Sequence, residues 1–222
     1  MHYDFNTEKG TVTLYDLEIG KDWSNHLFNK MGYITSVTHY GATFSRYLNK
    51  DAVLVTYNNQ VSVLYLRDVK TKKYWNIGGF PSMNPIEQYQ CTHGQNYSRV
   101  SSVAEGIAGT IEYRISEEDT REIWKVTLKN QTNEDREIDL FASTSLDMGG
   151  FSQPFYSNMP TTSATEFVKE ANGIFCENKN PFRPHDNCSG YILSSMPILA
   201  YDGNYEKFTG FVGCMAKPYT LE

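Results

Sequence analysis

From Gly32 the chain reads GYITSVTHYGATFSRY, and its apolar and polar positions alternate with a period of two. TVTLY (Thr11–Tyr15), YITSVT (Tyr33–Thr38) and SVLYLR (Ser62–Arg67) share this period, which predicts strands. The clearest case is IEYRISEEDTREIWKVTLKNQTNEDREIDLFAS. Ile111, Tyr113 and Ile115 share one face, Trp124, Val126 and Leu128 a second, and Ile138, Leu140 and Ala142 a third. SEEDTR and NQTNED between them are turn chemistry. Three consecutive strands joined by short turns predict an antiparallel meander. Helical periodicity is nearly absent. TTSATEFV (Thr161–Val168) has room for a turn or two, although its β-branched residues oppose a helix. Gly and Pro punctuate MGGFSQPFYSNMP (Met148–Pro160), and a second irregular stretch runs from Ala171 to Gly190. Loops of this length often carry function.

The pattern therefore predicts an all-β fold, one large antiparallel β-sandwich over residues 1–220. Less than about a tenth of it should be helix, against a globular average near a third. Neither a repeat of fixed period nor a composition shift divides it. The last two residues, Leu221 and Glu222, have the look of a cloning scar, and the chain reads as a fragment of something larger.

With 40% hydrophobic and 21% charged residues, the chain can build a packed core. A net charge of -6 argues against a nucleic-acid partner, because phosphate binding wants a basic face. No apolar run is long enough for a membrane helix, and MHYDFNTEKG lacks the plan of a secretory signal. The four cysteines (Cys91, Cys176, Cys188, Cys214) form no CxxC pair and read as reduced thiols of a cytoplasmic protein.

Candidate chemistry is sparse. Cys91 and His93 face the same way on a strand, but two ligands do not make a metal site, and no metal is expected. IGG and MGG lack the Lys and helix of a phosphate loop. Asp68 and Asp147, each ending a strand, are the carboxylates that glycosidic chemistry would draw on; ion pairing or turn formation is the plainer role. Arg67-Asp68 closes an apolar strand. HGQNYSRV then gathers His93, Tyr97 and Arg99, either as an anchored loop or as a polar-aromatic rim facing a sugar or another domain.

Taken in order, these motifs resemble the N-terminal domain of glycoside hydrolase family 94, formerly glycosyltransferase family 36. Gly32-Tyr33-Ile34 with Gly41 match the first family motif, Leu66-Arg67-Asp68 the second and Trp75 the third. His93-Gly94 with Tyr97-Ser98 match the fourth, and Leu128, Asn130 and Arg136 the fifth. Tyr47, Asn76 and Gln95-Asn96 depart from the pattern and mark a divergent branch. The resemblance covers roughly residues 32–147, with a looser fit beyond.

The resemblance implies a sandwich of the galactose-mutarotase-like super-sandwich type, without catalytic residues of its own. In the family it precedes a helical linker and an (α/α)6 barrel that carries the catalytic Asp. The parent reaction is inverting phosphorolysis of a β-linked di- or oligosaccharide. Inorganic phosphate is the co-substrate, and no cofactor is needed. The family also implies a homodimer in which a loop of this domain reaches the neighbouring subunit's sugar site. By position, Gly149–Tyr156 (GGFSQPFY) is that loop, with Phe151, Gln153 and Tyr156 as its contact residues. Arg67, Asp68, His93 and Tyr97 are the remaining substrate-proximal or interface candidates. By the same token, the hairpin Gly32–Tyr47 would turn its polar aromatics toward the barrel or a partner subunit. Two other readings compete. One is a stand-alone carbohydrate-binding module, which sixteen tyrosines would suit. The other is a mutarotase-like epimerase, for which His39 and His93 are the strand-borne pair.

Overall fold

A computed structural model describes residues 2–18, 21–47, 53–56, 62–144, 146–150, 162–179, 188–211 and 213–222. In chain order the strands are β1 (Tyr3–Asn6), β2 (Thr11–Leu14), β3 (Ser24–Phe28), β4 (Tyr33–Thr38), β5 (Thr43–Tyr47) and β6 (Val53–Thr56). Next come β7 (Val63–Asp68), β8 (Tyr74–Trp75), β9 (Glu87–His93), β10 (Ser98–Ala104), β11 (Ile107–Ile115) and β12 (Glu122–Asn130). The remainder are β13 (Ile138–Ser143), β14 (Leu146–Gly150), β15 (Thr162–Val168), β16 (Gly173–Lys179) and β17 (Cys188–Leu193), with one short helix, α1 (Tyr205–Thr209).

All pairings between these strands are antiparallel. They form a six-stranded sheet β1-β2-β9-β10-β11-β12, a five-stranded sheet β14-β6-β5-β4-β3, and three-stranded sheets β13-β7-β8 and β15-β16-β17. β11 and β12 hold register over nine pairs, from Ile107↔Asn130 to Ile115↔Glu122, as their alternation predicts. β13 does not complete the meander. It leaves β12 and pairs with β7, from Ile138↔Asp68 to Ser143↔Val63. The expected common face of Ile138, Leu140 and Ala142 is only partly a core face. Ile138 packs on the main core, whereas Leu140 is exposed and Phe141, on the opposite face, packs on a second cluster. Within TTSATEFV, Thr162–Val168 form β15 and not a helical turn, as β-branched residues favour.

The main core lies where the inner face of the six-stranded sheet (Leu14, Cys91, Val100, Ile111, Tyr113) meets Leu27 and Val37 of β3–β4 and Leu64 and Leu66 of β7, with Trp75 and Ile77. β7 is buried on both faces, which explains its continuous apolar run. Its other face carries Val63 and Tyr65 into the second cluster with Ala42 and Leu221, flanked by Phe141, Phe208 and Met215. Tyr65 Oη donates to the Met215 carbonyl at 2.7 Å. Leu221, one of the two terminal residues with the look of a cloning scar, is a fully buried side chain of this cluster. The β10–β11 turn needs positive φ at both Glu105 and Gly106 (+50° and +75°), the geometry of a type I′ hairpin.

Candidate functional site

Successive side chains of a strand leave opposite faces, so Arg67 and Asp68 at the end of β7 part company. Asp68 turns inward and is 1% exposed. Its Oδ2 accepts from Arg136 Nε at 2.7 Å and its Oδ1 from the Thr71 amide at 2.6 Å. The Thr71 amide and the Arg136 guanidinium hold the carboxyl at about 2, below the usual carboxylate range. Arg136 also donates through Nη1 to the Glu105 carbonyl at 2.9 Å. One ion pair thus ties together the turn after β7, the loop before β13 and the β10–β11 turn. Arg67 goes the other way. It donates to Asp139 Oδ2 on β13 at 3.1 Å and to the Thr220 carbonyl at 3.3 Å, and lies 5.0 Å over the Phe141 ring.

His93 ends β9 and Ser98 begins β10, so HGQNYS is a hairpin connection. His93 is buried, its Nδ1 2.9 Å from Ser98 Oγ and its Nε2 3.6 Å from Cys91 Sγ. Burial, with a smaller contribution from His39, pulls His93 down to about 4, so the ring is neutral at physiological pH. Burial also pushes the Cys91 thiol up to about 12, which leaves it protonated and no nucleophile. Asn25 Nδ2 donates to the Gly94 and Tyr97 carbonyls at 2.8 and 3.1 Å. The Tyr97 ring lies near both Arg99 and Arg114, at 5.3 and 5.4 Å, and covers Gly94 so closely that a Cβ there would sit 2.5 Å from it.

These two groups do not converge. Arg136 reaches the turn at the far end of β10, while His93 and Tyr97 flank its start; seven strand residues put roughly 20 Å between them. Nor do the histidines form a proton-transfer pair at an open cleft. His39 is 3% exposed, with Nδ1 3.2 Å from the Trp23 amide and Nε2 3.1 Å from the Leu17 carbonyl, so both its nitrogens hold backbone. In the hairpin Gly32–Tyr47, Tyr33 is likewise buried, and Tyr40, Phe44, Arg46 and Tyr47 are only half-exposed.

Another polar cluster lies between the two large sheets. Glu122 Oε2 accepts from Ser45 Oγ at 2.7 Å, Oε1 accepts from the Trp124 indole, and Thr35 Oγ1 lies 2.8 Å from Ser45 Oγ. Thr35 and Ser45 are fully enclosed, and the Tyr33 hydroxyl closes the group. Burial raises the Glu122 carboxyl above its ordinary range, although the polar groups of Trp124, Thr43, Ser45 and Thr35 around it oppose the shift. The signal for it was in the sequence. Glu122 stands two residues before Trp124, in phase with the inward face of β12.

Beside Tyr113, whose hydroxyl donates to the Gly41 carbonyl at 2.6 Å, there is a cavity of about 10 Å³. Tyr40, Gly41, Asn76 and Gly78 are among its lining residues, and it has space for one water, far below a sugar's volume. Phe151, Gln153 and Tyr156 of the expected loop lie outside the described residues; Gly149 and Gly150 before them end β14.

The profile of the glycosyl hydrolase 94 supersandwich domain matches residues 17–222. Among characterised proteins, the chain is similar to solabiose phosphorylase of Paenibacillus borealis, 26% identical over 222 residues. That alignment takes in 96% of this chain and 28% of the phosphorylase. It is also similar to a 3-O-beta-D-glucopyranosyl-beta-D-glucuronide phosphorylase of the same organism, 30% identical over 58% of this chain and 16% of that protein. N,N'-diacetylchitobiose phosphorylase of Vibrio proteolyticus aligns with the whole chain at 23% identity, over 28% of its own length. The chain therefore spans little more than a quarter of the relatives that match it end to end. With a profile match over nearly its whole length and an antiparallel sandwich beneath it, this chain belongs to the glycosyl hydrolase 94 supersandwich-domain family.

Proposed function

We propose that this chain is the non-catalytic sandwich domain of an inverting phosphorylase acting on a β-linked di- or oligosaccharide. In that reaction a phosphate oxygen attacks the anomeric carbon, the glycosidic C–O bond breaks, and a catalytic acid outside this chain protonates the departing oxygen. The domain's part is to shape and join. The reading extends to a homodimer, in which Gln153 and Tyr156 offer an amide and a ring to the neighbouring subunit's sugar, and to a cytoplasmic setting. No helix among the described residues is long and apolar enough to cross a membrane.

One observation carries the non-catalytic reading: Asp68 and Arg136, from two different family motifs, are joined to each other in the interior. Of the two carboxylates that the sequence offers for glycosidic chemistry, Asp68 holds three chain segments together, and the side chain of Asp147 on β14 lies outside what the structure describes. The names of the relatives, all phosphorylases, support the parent activity.

Titration of the isolated chain with cellobiose, chitobiose and laminaribiose, followed by NMR, tests the reading against that of a carbohydrate-binding module. The domain reading expects no saturable shifts at millimolar sugar. Saturable binding localised to one face would replace it with the module reading.

A further inference from the structure

Nine of the seventeen exposed large hydrophobic side chains among the described residues fall between Phe175 and Tyr219. Three of them share one face of the β15-β16-β17 sheet. Cross-strand register puts Glu166, Phe175 and Tyr191 in one row, and Val168, Gly173 and Leu193 in the next. Leu193 leans across Gly173, where a Cβ would meet its Cδ2 at 2.4 Å, so the patch is continuous. Phe175, Tyr191 and Leu193 are 36%, 58% and 52% exposed. The opposite face of the sheet is covered: Cys176 is buried, and Tyr201 stacks on Phe167 with ring centroids 6.2 Å apart.

A three-stranded sheet with one closed and one open apolar face is a half-finished layer, and a patch of this kind marks an interaction surface. Its occupant follows from length. The matched relatives carry nearly three-quarters of their polypeptide outside the segment that corresponds to this chain. We infer that the open face of β15-β16-β17 seats a further domain of the same polypeptide. This rests on the proposal that the chain is part of a longer phosphorylase. The seated surface is apolar at its centre, against Tyr191 and Leu193, with a Lys or Arg placed opposite Glu166.

Hydroxyl-radical footprinting tests this, applied to this chain alone and to the longer polypeptide at two concentrations. Oxidation of Phe175 and Tyr191 is expected to be fast in the chain alone and at least tenfold slower in the longer polypeptide, at both concentrations. Equal rates in the two proteins overturn the inference. So does slow oxidation in the chain alone, because residues of this chain would then cover the face. Protection that dilution removes overturns it in favour of a second copy. A Leu193→Glu variant gives an independent reading. It is expected to leave the melting temperature of this chain unchanged and to split or lower the transition of the longer polypeptide; an unaltered transition there counts against the inference. Phosphate-dependent activity of the longer polypeptide reports separately on the proposed function.

Discussion

Replacing Asp68 by Asn probes the joint on which the structural reading rests. The side chain keeps its shape, and its oxygen still accepts from the Thr71 amide, but the amide nitrogen then faces the Arg136 guanidinium. Asp68 is 1% exposed and the Arg136 side chain 15%, so the orphaned cation has little access to water. Removing one partner of a buried ion pair costs about 3–5 kcal/mol. The partial exposure of Arg136 places this case near the lower end, about 3 kcal/mol. For a domain of this size that corresponds to a fall in Tm of roughly 6–12 °C. Urea unfolding at pH 7 should show a lower midpoint with an unchanged slope. An Asp68→Asn/Arg136→Leu double variant should lose less than the sum of the single variants, because it leaves no buried charge. The pH dependence has a definite sign. The folded carboxyl titrates at about 2, and the unfolded one near the ordinary value of about 3.9. The stabilisation is therefore complete above pH ~4 and is lost as pH falls toward 2, so the gap between wild type and variant should close over that window. A Tm change under about 2 °C at pH 7, or a gap that persists undiminished at pH 2, refutes the reasoning.

Glu122 should behave in the opposite sense. Its carboxyl is raised in the folded chain, so stability falls as pH climbs from the unfolded value through the folded one, and Glu122→Gln should flatten that slope in urea midpoints followed upward in pH from the ordinary Glu value; a steeper slope in the variant contradicts the burial argument. Gly94→Ala should destabilise by about 1–3 kcal/mol, because the Tyr97 ring must move off the new methyl and away from Arg99 and Arg114; an unchanged urea midpoint would show that the ring is not packed there. Neither change should abolish the phosphorolysis proposed for the longer polypeptide at temperatures where it stays folded.

Much of the fold was legible because alternation reports directly on which face of a strand is buried. β4, β7, β11 and β12 stand where the pattern placed them. Pairing was less legible. β13 reads as the next strand of a meander, but periodicity says nothing about a strand's partner. The segment between Asn130 and Ile138 crosses to β7, where Arg136 is fixed by Asp68. Of the polar cluster around Glu122, only the carboxyl was legible, through its phase with Trp124. Thr35, Thr43 and Ser45 look like solvent-facing positions of an alternating strand, and only the sheet opposite shows that they surround a carboxyl. His93 and Tyr97 drew notice as chemistry-bearing residues, yet their residue types suit a packed hairpin as well as a site. Burial distinguishes the two, and burial is set by the strands that pack around them.

As proposed above, this chain shapes a phosphorylase but does not itself cleave sugar. Sugar 1-phosphate release from β-linked disaccharides, measured with and without inorganic phosphate, tests it most directly when the chain and the longer polypeptide are assayed side by side. Phosphate-dependent release is expected from the longer polypeptide, and none from this chain at any concentration. Turnover by the purified chain alone, or cleavage by the longer polypeptide that ignores phosphate, would contradict it.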